Sequence, residues 1–352
     1  MVVTLCYARD YVTLADVGDK SPVVGASVIS SNGLIIGITD TSGAIRVRKS
    51  DYPLSVRSLG YEPMTLSSAE RDTVFLTPAT YELAEITVAP EDRPITRVLT
   101  YAREYCAGAT PTDTMQMYGD YMVEFFFAEG KVKGYDKRHQ FPHVMACRRY
   151  GRLANAAGLD SIMRPKSGDD IAAISFFENM AFVPFESTEL TDKMKTGAQT
   201  DTVAGKYGPK FVYQLNNGYF SVSCDVLSDH KNHTWSPWFF KVLGLTMDMD
   251  QVDFNLIYRQ NPSGKHDIYD FISGTYNMHI LGRGKQLKKM MGVDDAININ
   301  CYVEQYPVRI EHLTIEEYKE VKKNYYSRAE SFQRPANLQP LAPAIESLVG
   351  RF

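Results

Sequence analysis

Short apolar stretches separated by turn-forming residues dominate residues 22–47. The stretches VVGASVI, LIIGI and AIRV are each long enough for one β-strand, and SSNG and TDTSG separate them. Asn32 and Gly33 supply the positive φ that a tight hairpin requires, because glycine has no Cβ to clash. This pattern favours a series of short strands over helices.

The turn at Asp40 is compatible with a structural role or with a chemical one. Asp40 can accept hydrogen bonds from the following backbone N–H groups, and Gly43 can take the left-handed conformation. Such an aspartate is usually satisfied by its own backbone. We therefore interpret both residues as structural, together with Gly60 and Tyr61, which interrupt a later strand. The spacing of strands and turns predicts a seven-stranded β-sandwich.

Four segments occur in the order PVVGASV, GITDTSGAIRV, LSVRSLGYEPMTL and ELAEITV. Together they resemble the carboxypeptidase-regulatory-like domain, a transthyretin-like (prealbumin-like) β-sandwich. The resemblance implies a protein of Gram-negative bacteria that is periplasmic, associated with the outer membrane or displayed on the cell surface. The residues that carry the resemblance are Pro22, Gly25, Ala26, Val28, Thr39, Asp40, Gly43, Gly60 and Tyr61.

A zinc carboxypeptidase linked to this domain would require a His-x-x-Glu pair. None of the seven histidines has a glutamate three positions later. The sequence also lacks a Gly-x-Ser-x-Gly nucleophile motif and a phosphate-binding glycine-rich loop. The usual signatures of these enzyme classes are therefore missing.

The length of 352 residues is typical of about two domains, and an aromatic content of 12% favours strands. We predict a mainly β protein with some α-structure, in which a larger α+β domain built on an antiparallel sheet follows the sandwich. The predicted boundaries are 11–88 for the sandwich, 89–97 for a linker, 98–333 for the second domain and 334–352 for an extended Pro-rich tail.

Helices are predicted at the start and near the end of the second domain. Val98, Ala102 and Cys106 have helical spacing before a glycine, which favours a helix at the start of the domain. Thr314 and Glu317 form the pattern of a capping box at the start of a second, amphipathic helix.

Composition narrows the range of partners and cofactors. The net charge is −4 with basic and acidic residues distributed along the chain, so we predict no nucleic-acid partner. No apolar run is long enough for a membrane-spanning helix. The first ten residues are compatible with the end of a trimmed signal peptide or with a first strand. The cysteines are too widely spaced for a zinc ribbon or a redox pair, and they are Cys6, Cys106, Cys147, Cys224 and Cys301.

The candidate binding residues are Trp235, Trp238, Phe239 and Phe240, in the stretch HTWSPWFF. If exposed, these rings would stack on a sugar or hold a protein partner; if buried, they would belong to the core.

The candidate metal ligands are Asp225, Asp229, His230 and His233, because two imidazoles three positions apart can reach one ion. A polar hairpin tip would have the same composition. The sequence therefore predicts a non-catalytic extracytoplasmic binding or adaptor protein without a cofactor, with a glycan or a protein as its ligand. The alternative is a metal-dependent hydrolase with its site in the second domain.

Overall fold

The chain forms two compact units, Met1–Thr80 with Gln339–Ser347, and Tyr81–Leu338 with Leu348–Phe352. Among the residues described, no helix combines the length and apolar character needed to cross a bilayer. The computed structural model describes residues 11–68, 72–79, 85–86, 93–110, 113–128, 130–155, 160–163, 200–204, 210–216, 219–236, 238, 241, 244, 246–260, 268–285, 296–335 and 338–350.

Seven short strands form two sheets in the described part of the first unit. They are β1 (Tyr11–Asp16), β2 (Ser27–Ile29), β3 (Ile35–Ile38), β4 (Ala44–Arg46), β5 (Leu54–Arg57), β6 (Met64–Leu66) and β7 (Thr73–Leu76). One sheet has the order β4-β1-β7 and the other β3-β2-β5-β6. Leu14 and Leu76 of the first sheet share one buried core with Val28 and Val56 of the second. The predicted seven-stranded β-sandwich is confirmed.

The Asp40 turn is closed by hydrogen bonds within the turn itself. Asp40 Oδ1 accepts hydrogen bonds from the backbone N–H groups of Ser42 at 2.8 Å and Ala44 at 3.0 Å. The hydroxyl of Ser42 and the backbone N–H of Ala44 hold the pKa of Asp40 below its usual value. Gly43 has a φ of +74°, and a Cβ there would lie 2.4 Å from the carbonyl oxygen of Leu14. The carboxylate of Asp40 therefore stabilises the turn.

The first unit also includes residues near the C-terminus. The buried guanidinium of Arg57 donates a hydrogen bond to the carbonyl oxygen of Pro340. Gln339 Nε2 donates to the carbonyl oxygen of Tyr61 at 2.7 Å. The prediction of an extended tail over residues 334–352 is wrong in part, because a short helix occupies Pro343–Val349. Proline is tolerated at its first position, where its missing N–H costs no helical hydrogen bond.

The second unit is built on one large, mainly antiparallel sheet. Its strands are β8 (Glu85–Ile86), β9 (Ile95–Ala109), β10 (Asp113–Ala128), β11 (His143–Asn155), β12 (Asp160–Met163), β13 (Thr200–Ala204), β14 (Lys210–Asn216), β15 (Tyr219–Asp225), β16 (Thr246–Arg259), β17 (Phe271–Arg283) and β18 (Ile297–Leu313). The order is β12-β11-β10-β9-β18-β17-β16-β15-β14-β13, and β8 pairs in parallel with β18. The predicted mainly β fold with an antiparallel sheet is confirmed.

The helix predicted around Val98, Ala102 and Cys106 is wrong, because these residues lie in β9. This strand is buried almost from end to end, so both of its faces avoid solvent and the polar-apolar alternation disappears. A continuously buried strand cannot be distinguished from a helix by periodicity alone. The linker predicted over 89–97 is also too long, because β9 already begins at Ile95; residues 89–92 lie outside the described residues.

The large sheet has two different faces, which we name the apolar face and the polar face. On β9, Val98, Ala102 and Cys106 belong to the large core cluster of the apolar face. The alternate residues Arg97 and Arg103 lie on the polar face, since side chains alternate along a strand. The polar face is buried as well, and Arg103 Nε lies 2.5 Å from Glu304 Oε2.

The predicted capping box is confirmed and begins α1 (Ile315–Lys323). Thr314 Oγ1 accepts a hydrogen bond from the backbone N–H of Glu317 at 3.2 Å, and Glu317 Oε2 accepts one from the N–H of Thr314 at 2.8 Å. Tyr318 packs edge-on against Phe126, with the ring centroids 5.7 Å apart. The helix of residues 343–349 described above is α2 (Pro343–Val349).

Candidate functional site

The tryptophan-bearing loop lies between β15 and β16 and is attached to the beginning of β16. The backbone groups of Trp235 and Met249 exchange two N–H···O hydrogen bonds of 2.9 Å. This bridge fixes the backbone at Trp235, yet the side chain remains 39% exposed. Trp238 is 74% exposed. Phe239 and Phe240, which were predicted to share the surface, lie outside the described residues.

Charged and polar groups adjoin this loop. Asp248 accepts hydrogen bonds from the Ser236 hydroxyl and from the Arg283 guanidinium, and His279 contacts Asp250. The hydrogen bond from Ser236 and the neighbouring Arg283 hold the pKa of Asp248 below its usual value. Asp248 therefore remains ionised at neutral pH.

We name the surface that includes this loop the tryptophan surface. It is formed by Trp235, Trp238, Ser236, Asp248 and Arg283. It combines exposed aromatic rings with planar groups that donate and accept hydrogen bonds. Aromatic rings supply large apolar contact areas, and carboxylate and guanidinium groups supply directional hydrogen bonds. Such a combination can bind a ligand that has both apolar faces and hydroxyl groups.

The predicted metal ligands lie in an exposed turn. Asp225 Oδ1 accepts a hydrogen bond from the backbone N–H of Leu227 at 2.9 Å, which closes the turn after β15. The turn continues through His230 and His233, whose backbones are joined by a 3.0 Å hydrogen bond. Within the described residues, no three of Asp225, Asp229, His230 and His233 place their ligand atoms within 4.8 Å of one another. The structure does not bring these side chains together as a metal site.

Three buried side chains on the apolar face do converge, and the sequence did not reveal them as a group. Cys106 on β9 lies directly opposite Cys301 on β18, and Glu104 lies two residues before Cys106 on the same face. Their ligand atoms all lie within 4.8 Å of one another, and Cys106 Sγ is 3.4 Å from Glu104 Oε1. Both cysteines are free thiols.

Tyr121 on β10 completes this buried group. Its hydroxyl donates a hydrogen bond of 2.8 Å to Glu104 Oε2. A Cβ at Gly119 would lie 2.4 Å from this hydroxyl and 2.8 Å from the ring carbon that carries it. Glycine at 119 therefore leaves the space in which the Tyr121 ring lies along its own strand and reaches Glu104.

Burial and the neighbouring groups affect the protonation of the thiols. The hydrogen bond with Cys301, burial and the nearby Glu104 raise the pKa of Cys106 well above its usual value. A thiol in this state is protonated at neutral pH and is a poor nucleophile. This arrangement does not favour a catalytic cysteine.

The fold defines a mainly β protein that combines a small β-sandwich unit with a unit built on a large antiparallel sheet. No family model and no curated protein sequence matches the chain. A structure described as lipid-protein interactions in lipovitellin is similar at 12% identity, covers 71% of this chain and 27% of that chain, and has a TM-score of 0.33. A putative AttH of Nitrosomonas europaea has 9% identity, covers 64% of this chain and 55% of that one, and has a TM-score of 0.14. The chain spans less than two thirds of each of these structures, and TM-scores this low give no information about function.

Proposed function

We propose that the protein is a non-catalytic binding protein of the bacterial cell envelope, periplasmic or displayed at the outer membrane or cell surface. Its ligand binds at the tryptophan surface. The observation that carries the proposal is the exposure of Trp235 and Trp238 on a loop whose backbone is fixed to β16. Burying a tryptophan in a binding interface contributes strongly to affinity, so exposed tryptophans on a fixed loop suit this role.

The envelope location rests on the first unit. Its seven strands in two sheets are compatible with the carboxypeptidase-regulatory-like domain, the transthyretin-like sandwich that the sequence resembles. In this proposal, the first unit is a structural module, because the carboxylate of Asp40 is used within its own turn. Ligand binding then belongs to the second unit.

A carbohydrate is the ligand class that the tryptophan surface fits best. A sugar ring has an apolar face that stacks on an indole and hydroxyl groups that bond to carboxylate and guanidinium groups. Asp248 and Arg283 supply such groups, and Asp248 is hydrogen-bonded to Ser236, which lies between the two tryptophans in the sequence. A protein ligand is the second candidate, because tryptophan and arginine are also the commonest strong contributors to protein interfaces.

A glycan array tests this proposal when it is probed with the unaltered protein and with Trp235→Ala and Trp238→Ala. We expect each substitution to weaken glycan binding about tenfold or more, since one stacking surface is lost. Phe141→Ala is the matched control, because Phe141 is 66% exposed but lies in a different part of the second unit. Thermal unfolding should show that Trp238→Ala folds normally, as exposed substitutions usually change stability by less than about 0.5 kcal/mol.

Two results would change the assignment. Glycan binding that survives both tryptophan substitutions would contradict the tryptophan surface as the binding site. If no glycan binds, but an envelope protein co-purifies with the unaltered protein and not with the tryptophan variants, the ligand is a protein.

A further inference from the structure

Glu104, Cys106 and Cys301 form a compact set of metal-ligand side chains in the interior of the second unit. All three are buried, and they come from two adjacent strands, β9 and β18. We propose that these residues bind a thiophilic divalent cation of the Zn²⁺ class. This site is separate from the tryptophan surface and does not depend on the proposed function.

The spacing of the ligand atoms suits tetrahedral coordination. With metal–sulfur and metal–oxygen bonds of about 2.3 and 2.1 Å, tetrahedral geometry places sulfur and oxygen about 3.6 Å apart. The observed distance between Cys106 Sγ and Glu104 Oε1 is 3.4 Å. Cys301 Sγ lies within 4.8 Å of both of these atoms, so a modest approach of its side chain would let the three ligand atoms surround one ion.

The ligand types determine which ion is expected. Two thiolates favour thiophilic ions, whereas Mg²⁺ and Ca²⁺ prefer sites made entirely of oxygen ligands. Two thiolates and one carboxylate form a set that Zn²⁺ accepts, with a fourth position for water. On binding, each cysteine loses its thiol proton to solvent and forms a metal–sulfur bond, with no oxidation or reduction.

Tyr121 and Gly119 support the carboxylate. The Tyr121 hydroxyl donates to Glu104 Oε2, which leaves Oε1 directed towards Cys106. Groups that hydrogen-bond to metal ligands fix the orientation of those ligands, and their loss typically lowers affinity about 10–100-fold. The absence of a side chain at Gly119 allows the tyrosine to take this position.

The test is metal loading of the full-length protein. Because the site is buried, the ion should be supplied during expression in Zn²⁺-supplemented medium or during refolding with Co²⁺. We expect about one ion per chain and, for Co²⁺, a near-ultraviolet charge-transfer band that reports thiolate ligands. This band is measured on the unaltered protein, so the result does not depend on whether a variant folds.

Variants then locate the ion. Cys106→Ser and Cys301→Ser should each remove the metal, and Glu104→Gln should weaken binding about 10–100-fold. Cys224→Ser is the matched control, because Cys224 is a buried free thiol of the same core and lies outside the ligand set. It should bind the ion as the unaltered protein does.

Three results would overturn the proposal. The first is a protein that retains no Zn²⁺ or Co²⁺ after both loading procedures. The second is a charge-transfer band that persists when Cys106 and Cys301 are both replaced by serine. The third is a count of three thiols instead of five in denaturant with chelator, because a Cys106–Cys301 disulfide would then occupy the site.

Discussion

Arg328 Nη1 lies 2.8 Å from Oε1 and 3.0 Å from Oε2 of Glu124, a carboxylate that is completely buried on the polar face. Glu124 also lies 2.8 Å from Arg97 Nε and 3.0 Å from His143 Nδ1. Burial alone would raise the pKa of Glu124, but the hydrogen bond with His143 and the charges of Arg97 and Arg328 hold that pKa below its usual value. The ion pair thus attaches the segment after α1 to β10.

Glu124→Gln should destabilise the protein by about 3 kcal/mol, because the buried site loses the carboxylate that balances Arg328 and that shares Arg97 with Glu311. The free energy of unfolding from urea denaturation measures the effect. Glu320→Gln is the control, because the ion pair of Glu320 with Lys323 is exposed and such pairs contribute about 0–1 kcal/mol. Equal effects of the two substitutions would contradict a dominant role for the buried pair.

Asp253 should make stability fall with rising pH. Burial, and then the negative charge of Asp225 on the neighbouring strand, raise the pKa of Asp253 to about 6. The contribution of Asp253 to the free energy of unfolding is fully present below its unfolded-state pKa of about 3.9 and is lost as the pH rises through about 6.

As the pH rises from 4 to 7, the free energy of unfolding of Asp253→Asn should therefore increase by roughly 1–3 kcal/mol relative to that of the unaltered protein. Urea denaturation across this pH range measures the difference. Asp225→Asn should retain most of the pH dependence, because burial is the larger cause. A pH dependence that disappears in Asp225→Asn would instead assign the effect to the charge of Asp225.

Thr314→Ala should destabilise α1 by about 1 kcal/mol, because the first turn of the helix loses its side-chain cap. Thr314→Ser keeps the hydroxyl that accepts from the N–H of Glu317 and should be close to the unaltered protein. Amide hydrogen exchange in α1 is the appropriate measurement, since the effect is local. If the serine variant exchanges as fast as the alanine variant, the lost hydrogen bond is not the cause.

Gly119→Ala should destabilise the protein by about 1–3 kcal/mol, since the new methyl group meets the hydroxyl and ring of Tyr121. The same substitution in a Tyr121→Leu background should cost much less, because the clashing atoms are gone. A double-mutant cycle by urea denaturation measures this coupling. An equal cost in both backgrounds would show that the clash is with other atoms.

Local sequence patterns were sufficient to predict the turns and the helix start, because neighbouring residues determine these features. Glycines and aspartates mark the turns between the seven strands of the first unit, and Thr314 with Glu317 marks the start of α1. The prediction failed at β9, because burial of both faces removed the alternation that identifies a strand. Hydrophobicity reports burial, and burial does not distinguish a central strand from a helix.

The candidate sites were also predictable from the sequence only in part. A cluster of aromatic residues is visible in the sequence at Trp235 and Trp238, although their exposure is not. Cys106 and Cys301 are far apart in the sequence and become neighbours only because β9 pairs with β18. No local spacing contains this information, so the sequence excludes a zinc ribbon and a redox pair but does not predict that these two cysteines meet.

The hydrogen bonds of Arg57 with Pro340 and of Tyr61 with Gln339 show that the first unit is not one continuous segment of sequence. The chain passes from the first unit into the second after residue 80, and residues 339–347 belong to the first unit again. In the gene, residues 81–338 of the second unit are thus inserted into the first unit, and a fragment cut at residue 80 would lack the carbonyl oxygen of Pro340 that accepts from the buried Arg57 guanidinium. Isolating the sandwich requires a circularly permuted or fused gene that carries residues 339–347.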